Sequence, residues 1–118
     1  EILDTKGQEK IKRTHEIIHK YPNSVYLPNL YLQLMNAIDL YDHSKEGTDE
    51  LKSVSYDFIK QFPDSPFTRN ALYYYYSALK KIYNGGRRNK INNELQKIKD
   101  EFRDKQVSRY VDYFIASF

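Results

Sequence analysis

Apolar residues recur at steps of three and four along most of the chain. Leu27, Leu30, Leu34, Ala37, Ile38 and Tyr41 fall on one stripe within 25–42. That spacing brings side chains to one face of a helix with 3.6 residues per turn. Leu72, Tyr75, Tyr76, Leu79, Ile82 and Tyr83 do the same within 66–83, and Ile91, Leu95, Ile98 and Phe102 within 89–102. Leu51, Val54, Phe58 and Ile59 form the stripe of 49–61. The pattern predicts six helices, at about 5–20, 25–42, 49–61, 66–83, 89–102 and 106–118. A strand over 73–76 is the competing reading, and it fails because helical spacing flanks it on both sides with no turn in reach.

The breaks between stripes repeat. Tyr21-Pro22-Asn23-Ser24-Val25-Tyr26 is matched 41 residues on by Phe62-Pro63-Asp64-Ser65-Pro66-Phe67, and 40 residues further by Phe102-Arg103-Asp104-Lys105-Gln106-Val107. Asn29 pairs with Asn70, Ala37 with Ala78, Tyr73 with Tyr113, and Ile17-Ile18 with the core pair Phe58-Ile59. In the first two copies the Pro ends a helix by disfavouring helical geometry in the residue before it. Ser24 and Ser65 are expected as N-caps of the next helix, with Pro66 at its first position and Pro28 still within a tolerant first turn. Gly47 marks a polar connector followed by Thr48 as a cap. Asn84-Gly85-Gly86 is expected to end a helix through a left-handed residue, and Gly7 to fray the first turn. A period near forty in a helical chain is the mark of stacked helical hairpins.

Tyr-Pro-Asn-Ser-x-Tyr-x-Pro-Asn-Leu-Tyr and its twin Phe-Pro-Asp-Ser-Pro-Phe-x-x-Asn-Ala-Leu-Tyr resemble tetratricopeptide repeats. They are most similar to the bacterial envelope subclass of BamD-like outer-membrane assembly lipoproteins and Tol–Pal coordinator proteins. The resemblance covers about 5–118. It implies an all-α, TPR-like α-solenoid segment of antiparallel helical hairpins, in one domain over 1–118. Repeats would span about 25–61 and 66–102, with half-repeats at 5–20 and 106–118. It further implies a tethered place in the periplasm or at the outer membrane, and a concave groove lined by the first helices of successive hairpins. By position that groove would be Asn29, Leu32 and Asn36, then Asn70, Tyr73 and Ser77, then Tyr110, Tyr113 and Ser117. The family has a small residue midway along each first helix, whereas this chain has Met35, Tyr76 and Ala116 there. Two of these are large, which predicts hairpins that open wider. Asp112 stands where a bulky apolar residue is expected. Val111, Phe114, Ile115 and Phe118 are expected to be covered by nothing in this chain, so a following helix or self-association through that end is expected.

Composition narrows the chemistry. The chain has no Cys, which removes disulfides, thiol nucleophiles and Cys-ligated metals. Four Gly and four Pro in 118 residues are too few for an all-β fold. A net charge of +3 is too mild to imply a nucleic-acid partner. No apolar run reaches the length of a membrane helix. Twelve Tyr are the one compositional excess.

His15-Glu16-Ile17-Ile18-His19 matches the zinc-hydrolase pattern H-E-x-x-H. No third ligand follows at a suitable spacing, and the repeat already accounts for the segment as a core pair beside solvent-facing positions. No cofactor and no catalytic residue are therefore assigned. Lys80, Lys81, Arg87, Arg88 and Lys90 form a basic cluster able to meet phosphates or an acidic partner. The plainer reading is a solvated turn with cations at a helix C-terminus. The resulting expectation is a non-catalytic module binding a protein or peptide, in which an Asn–Tyr lining bonds a peptide backbone and stacks on its side chains. Glycan binding through the exposed Tyr rings is the alternative.

Overall fold

Three turns of one design organise the chain. A computed structural model describes residues 5–83 and 87–116. In it the Ser24, Ser65 and Lys105 amides donate to the carbonyls of Tyr21, Phe62 and Phe102 at 3.1, 3.1 and 2.9 Å. Three residues on, the amides of Leu27, Thr68 and Ser108 donate back to Ser24, Ser65 and Lys105, each at 3.1 Å. Pro22, Pro63 and Arg103 thus occupy the same second position of the first turn, where Pro is favoured but not required. The third copy closes without its Pro for that reason.

The described residues form six α-helices and contain no strand: α1 (Thr5–Lys20), α2 (Leu27–Tyr41), α3 (Lys45–Gln61), α4 (Thr68–Ile82), α5 (Arg88–Glu101) and α6 (Gln106–Ala116). The starts of three differ from expectation. Ser24 and Ser65 do not cap α2 and α4. Their hydroxyls accept from the amides of Tyr26 and Phe67, both at 3.1 Å, inside the preceding turn. The helices start after that turn, so Pro66 lies in the turn and not in α4. Helix α3 starts earlier than predicted because Ser44 caps it, accepting from the Gly47 amide at 3.0 Å. Thr48 is a buried residue of that helix, its hydroxyl donating to the Ser44 carbonyl at 3.0 Å. Gly47 and Gly7 are packing residues. A Cβ on Gly47 would strike Asp42, and one on Gly7 would strike the Tyr41 side chain. Gly7 is therefore buried in α1 and does not mark a frayed turn. The predicted Asn84-Gly85-Gly86 helix end lies outside the described residues, as do Ser117 and Phe118.

The helices form a slab with extents of 37 × 36 × 17 Å, a thickness that two helix layers fill. Helices α2, α4 and α6 lie side by side as one row, and α1, α3 and α5 pack on them as the other. Helix α4 is central, touching α2, α3, α5 and α6. Phe58, Leu34, Met35, Ile38, Leu72, Leu79, Leu95, Val107 and Val111 are fully buried between the rows. Met35 is thus accommodated without exposure. Tyr76 is half-buried, its ring 5.7 Å from that of Phe114.

Two predicted core positions are not core. Ile17 and Ile82 are each 37% exposed, since their side chains project past the stripe that α2 and α5 cover. The C-terminal stripe departs in the opposite sense. Val111 is fully buried, and Phe114 and Ile115 pack half-buried on the core. Helix α6 packs on α4 and α5, so Val111 is covered within the chain, contrary to expectation, while Phe114 and Ile115 are covered only in part.

The third turn also docks on the second. The Gln106 amide donates to the Asp64 carboxylate at 2.9 Å and the Val107 amide to the Pro63 carbonyl at 3.0 Å. The equivalent donors in the second copy are spent or missing. Pro66 has no N–H, and the Phe67 amide is taken by Ser65. Losing Pro and Ser in the third copy frees two amides, and the neighbouring turn accepts them.

Candidate functional site

The eight described residues of the predicted groove all reach the surface. They come from the row α2, α4, α6, whose members pack side by side. Asn29, Asn36 and Asn70 are exposed, and Leu32, Ser77 and Tyr110 are half-buried. Tyr73 is 54% exposed and Tyr113 is 71% exposed, one repeat apart on neighbouring helices. Asn36 is not wholly available, because the Tyr74 hydroxyl donates to its side-chain carbonyl at 3.1 Å. The Tyr74 ring meets that of Tyr73 edge-on at 5.6 Å. Burial and the nearby Asp39 carboxylate push the Tyr74 hydroxyl's pKa up, so it remains a donor.

The basic cluster divides. Lys80 and Lys81 lie in the last turn of α4, where the helix dipole favours cations. Lys81 pairs with Asp39 at 3.5 Å, and Lys80 sits over the Tyr76 ring at 5.4 Å. Arg87, Arg88 and Lys90 instead surround the start of α5, which has no acidic residue in its first turn and no side-chain cap. Cations there oppose the dipole, so the favourable-turn reading holds for only two of the five, Lys80 and Lys81.

His15 and His19 share one face of α1, with ring centroids 6.4 Å apart. His15 is engaged with Glu50 of α3 at 2.5 Å. Among the described residues no three His, Asp or Glu side chains are grouped to hold a metal.

A concavity lies elsewhere, between α3 and α5, with a volume of about 400 Å³. Helix α3 contributes Asp49, Lys52, Ser53 and Tyr56 to its lining. Helix α5 contributes Glu94, Lys97, Ile98 and Glu101. Each set has the i, i+3, i+4, i+7 spacing of one helical face. Tyr75 of α4, only 4% exposed, lines it between them. Two bridges cross the gap: Lys52 to Glu94 at 3.2 Å, and the Tyr56 hydroxyl to both Glu101 oxygens at 2.6 and 2.8 Å. Tyr83 also donates to Glu94, at 3.2 Å.

Both pocket tyrosines are held in the neutral form. The bond to Glu101, followed by burial and that carboxylate's charge, pushes the Tyr56 pKa up to about 12. Burial, followed by the Glu94 carboxylate, pushes Tyr75 up as well. They present neutral hydroxyls at physiological pH. The pocket escaped the sequence reading because periodicity identifies polar faces without saying which two face each other. Its signal was the matched spacing of polar positions on 49–56 and 94–101.

No helix among the described residues is long and apolar enough to cross a membrane. No family model matches the chain, and no curated protein or solved structure matches it.

Proposed function

We propose that the chain is a non-catalytic protein–protein interaction module, a TPR-like segment that holds a peptide or a partner helix along the row α2, α4, α6. The observation that carries this reading is the pair Tyr73 and Tyr113, exposed at one repeat position on helices that pack side by side. Large aromatic rings on a surface are the residues that most often anchor an interface. The Asn side chains beside them supply backbone-type donors and acceptors. Two layers of helices around a fully buried core suit this role, because a face formed in advance loses little ordering entropy on binding. A place in bacterial envelope or outer-membrane assembly is proposed with it, and rests on the repeat motifs alone.

The test is capture of partners by the immobilised chain from an envelope fraction, compared with the double variant Asn70→Ala, Tyr73→Ala. Both positions are exposed, so the variant is expected to fold, which circular dichroism checks. Loss of a wild-type partner supports the reading. Retention of every partner moves the site off this face.

A further inference from the structure

We propose that the pocket between α3 and α5 is a separate binding site, and that it takes the guanidinium-bearing side chain of an arginine. Tyr73 and Tyr75 are two residues apart on α4, so they point about 200° apart around it, and this pocket does not belong to the α2, α4, α6 face.

Three observations carry the proposal. The Tyr75 hydroxyl belongs to a residue 4% exposed that lines the cavity, and it has no hydrogen-bond partner among the described residues. Its oxygen is not fully enclosed, so it opens onto the cavity and is free to bond a polar group that enters. Next, the lining holds more acceptor capacity than the protein uses. Both bonds to Glu94 fall on its Oε2, which leaves Oε1 open. The single Tyr56 hydroxyl hydrogen is shared between the two oxygens of Glu101. Asp49 has no partner among the described residues. The lining itself holds three carboxylates and two ammonium groups, with the Lys60 ammonium outside it beside the Tyr56 ring. Finally, the polar rim encloses an apolar floor. The Tyr56 and Tyr75 ring centroids are 6.4 Å apart, with Ile98 also in the lining. Lys60 already lies over the Tyr56 ring at 5.2 Å, so that ring accepts a cation.

A ligand that matches has an apolar stem, a flat donor-rich head and a positive charge. The guanidinium meets all three conditions, since its planar fork pairs with carboxylates through two parallel bonds and lies flat on aromatic faces, whereas an ammonium acts as a point charge. The volume of about 400 Å³ lies within the range of small-ligand sites, about 300–1,000 Å³. Lys97, also without a partner among the described residues, stands at the same rim to meet the carbonyl or carboxylate that accompanies an arginine.

The experiment is titration of the full chain with acetyl-Gly-Arg-Gly-amide, followed by NMR of the Tyr rings and the Ile98 methyl groups. Saturable shifts at Tyr56, Tyr75 and Ile98 are expected. The citrulline peptide, which keeps the shape and loses the charge, is expected to bind at least tenfold more weakly. The lysine peptide is expected to be several-fold weaker. Asp49→Asn with Glu101→Gln is expected to cost at least tenfold, and Tyr75→Phe several-fold, in proteins whose circular dichroism matches wild type. Asn70→Ala with Tyr73→Ala leaves this binding intact, so the result stands apart from the fate of the other face. Free arginine binding as well as the peptide keeps the chemistry and assigns the source to the amino acid. Absence of saturable shifts at millimolar peptide, or equal binding of the citrulline or lysine peptide, overturns the proposal.

Discussion

The backbone amide of Gln106 donates to the Asp64 carboxylate at 2.9 Å, tying the turn before α6 to the turn before α4. Those turns are successive copies of one motif, and the bond exists because Gln stands where the earlier copy has a Pro with no amide to give. Asp64→Ala removes the acceptor. A hydrogen bond to a charged group contributes about 1.5–3 kcal/mol. This one is exposed, so a loss of about 1 kcal/mol is expected in urea unfolding. Hydrogen exchange should accelerate at Gln106 and Val107 more than in α2. Uniform exchange behaviour would show that the docking contributes nothing local.

Gly47→Ala is expected to destabilise, although Ala is favoured over Gly within helices by about 1 kcal/mol. The added methyl meets the Asp42 side chain and its carbonyl, which is backbone and cannot swing away. Asp42 also accepts from the Ser44 hydroxyl and amide, at 2.5 and 3.1 Å, so displacing it disturbs the cap of α3. Overpacking of this kind costs about 1–3 kcal/mol. The expected fall in Tm is several degrees. A rise would mean that the connector 42–44 moves aside without cost.

These two cases show where the sequence is and is not legible. Helix existence was legible because Leu34, Ile38, Leu72 and Leu79 obey one period and all are buried. The turn was legible as a recurring string, but its mechanics were not. A Ser before a helix signals a hydroxyl acceptor without saying whether it serves the helix or the turn ahead of it. Gly47 read as a connector because a helical Gly is normally a penalty, and only the nearness of Asp42 explains it. The surface residues of the predicted groove follow from repeat position. The α3–α5 pocket depends on how two polar faces approach, and that is set by packing on α4, which no local pattern encodes.

Tyr56 makes stability depend on pH at the alkaline end. Its ordinary value is 10.0 and the folded value is about 12, with the hydrogen bond to Glu101 as the largest cause. The folded chain therefore holds this proton more tightly than the unfolded chain. Its stabilisation is fully present below about pH 10 and is lost as pH rises from about 10 to about 12. Tyr75 adds a loss in the same direction, through burial. Urea midpoints measured on both sides of that window should fall less steeply for Tyr56→Phe than for wild type. Equal slopes would mean that the Glu101 bond does not form in solution.

Substitutions on α6 discriminate a closed inner face from an open one. Reading 106–118 as the first half of a further repeat leaves Val111, Phe114, Ile115 and Phe118 without a cover, whereas Val111 is fully buried, Phe114 and Ile115 are half-buried and Tyr113 is 71% exposed. Val111→Asp places a charge without a partner among Leu, Ile and Val side chains of the core. The penalty for such burial is about 3–5 kcal/mol, by analogy with stripping the partner from a buried ion. That is a large part of the whole stability of a domain of this size, about 5–15 kcal/mol. The variant is expected to lose cooperative thermal unfolding or to melt tens of degrees lower. Tyr113→Asp keeps the charge in water and should cost under about 1 kcal/mol. If the two variants melt alike, α6 does not rest on α4 and α5, and its apolar stripe is available to a partner after all.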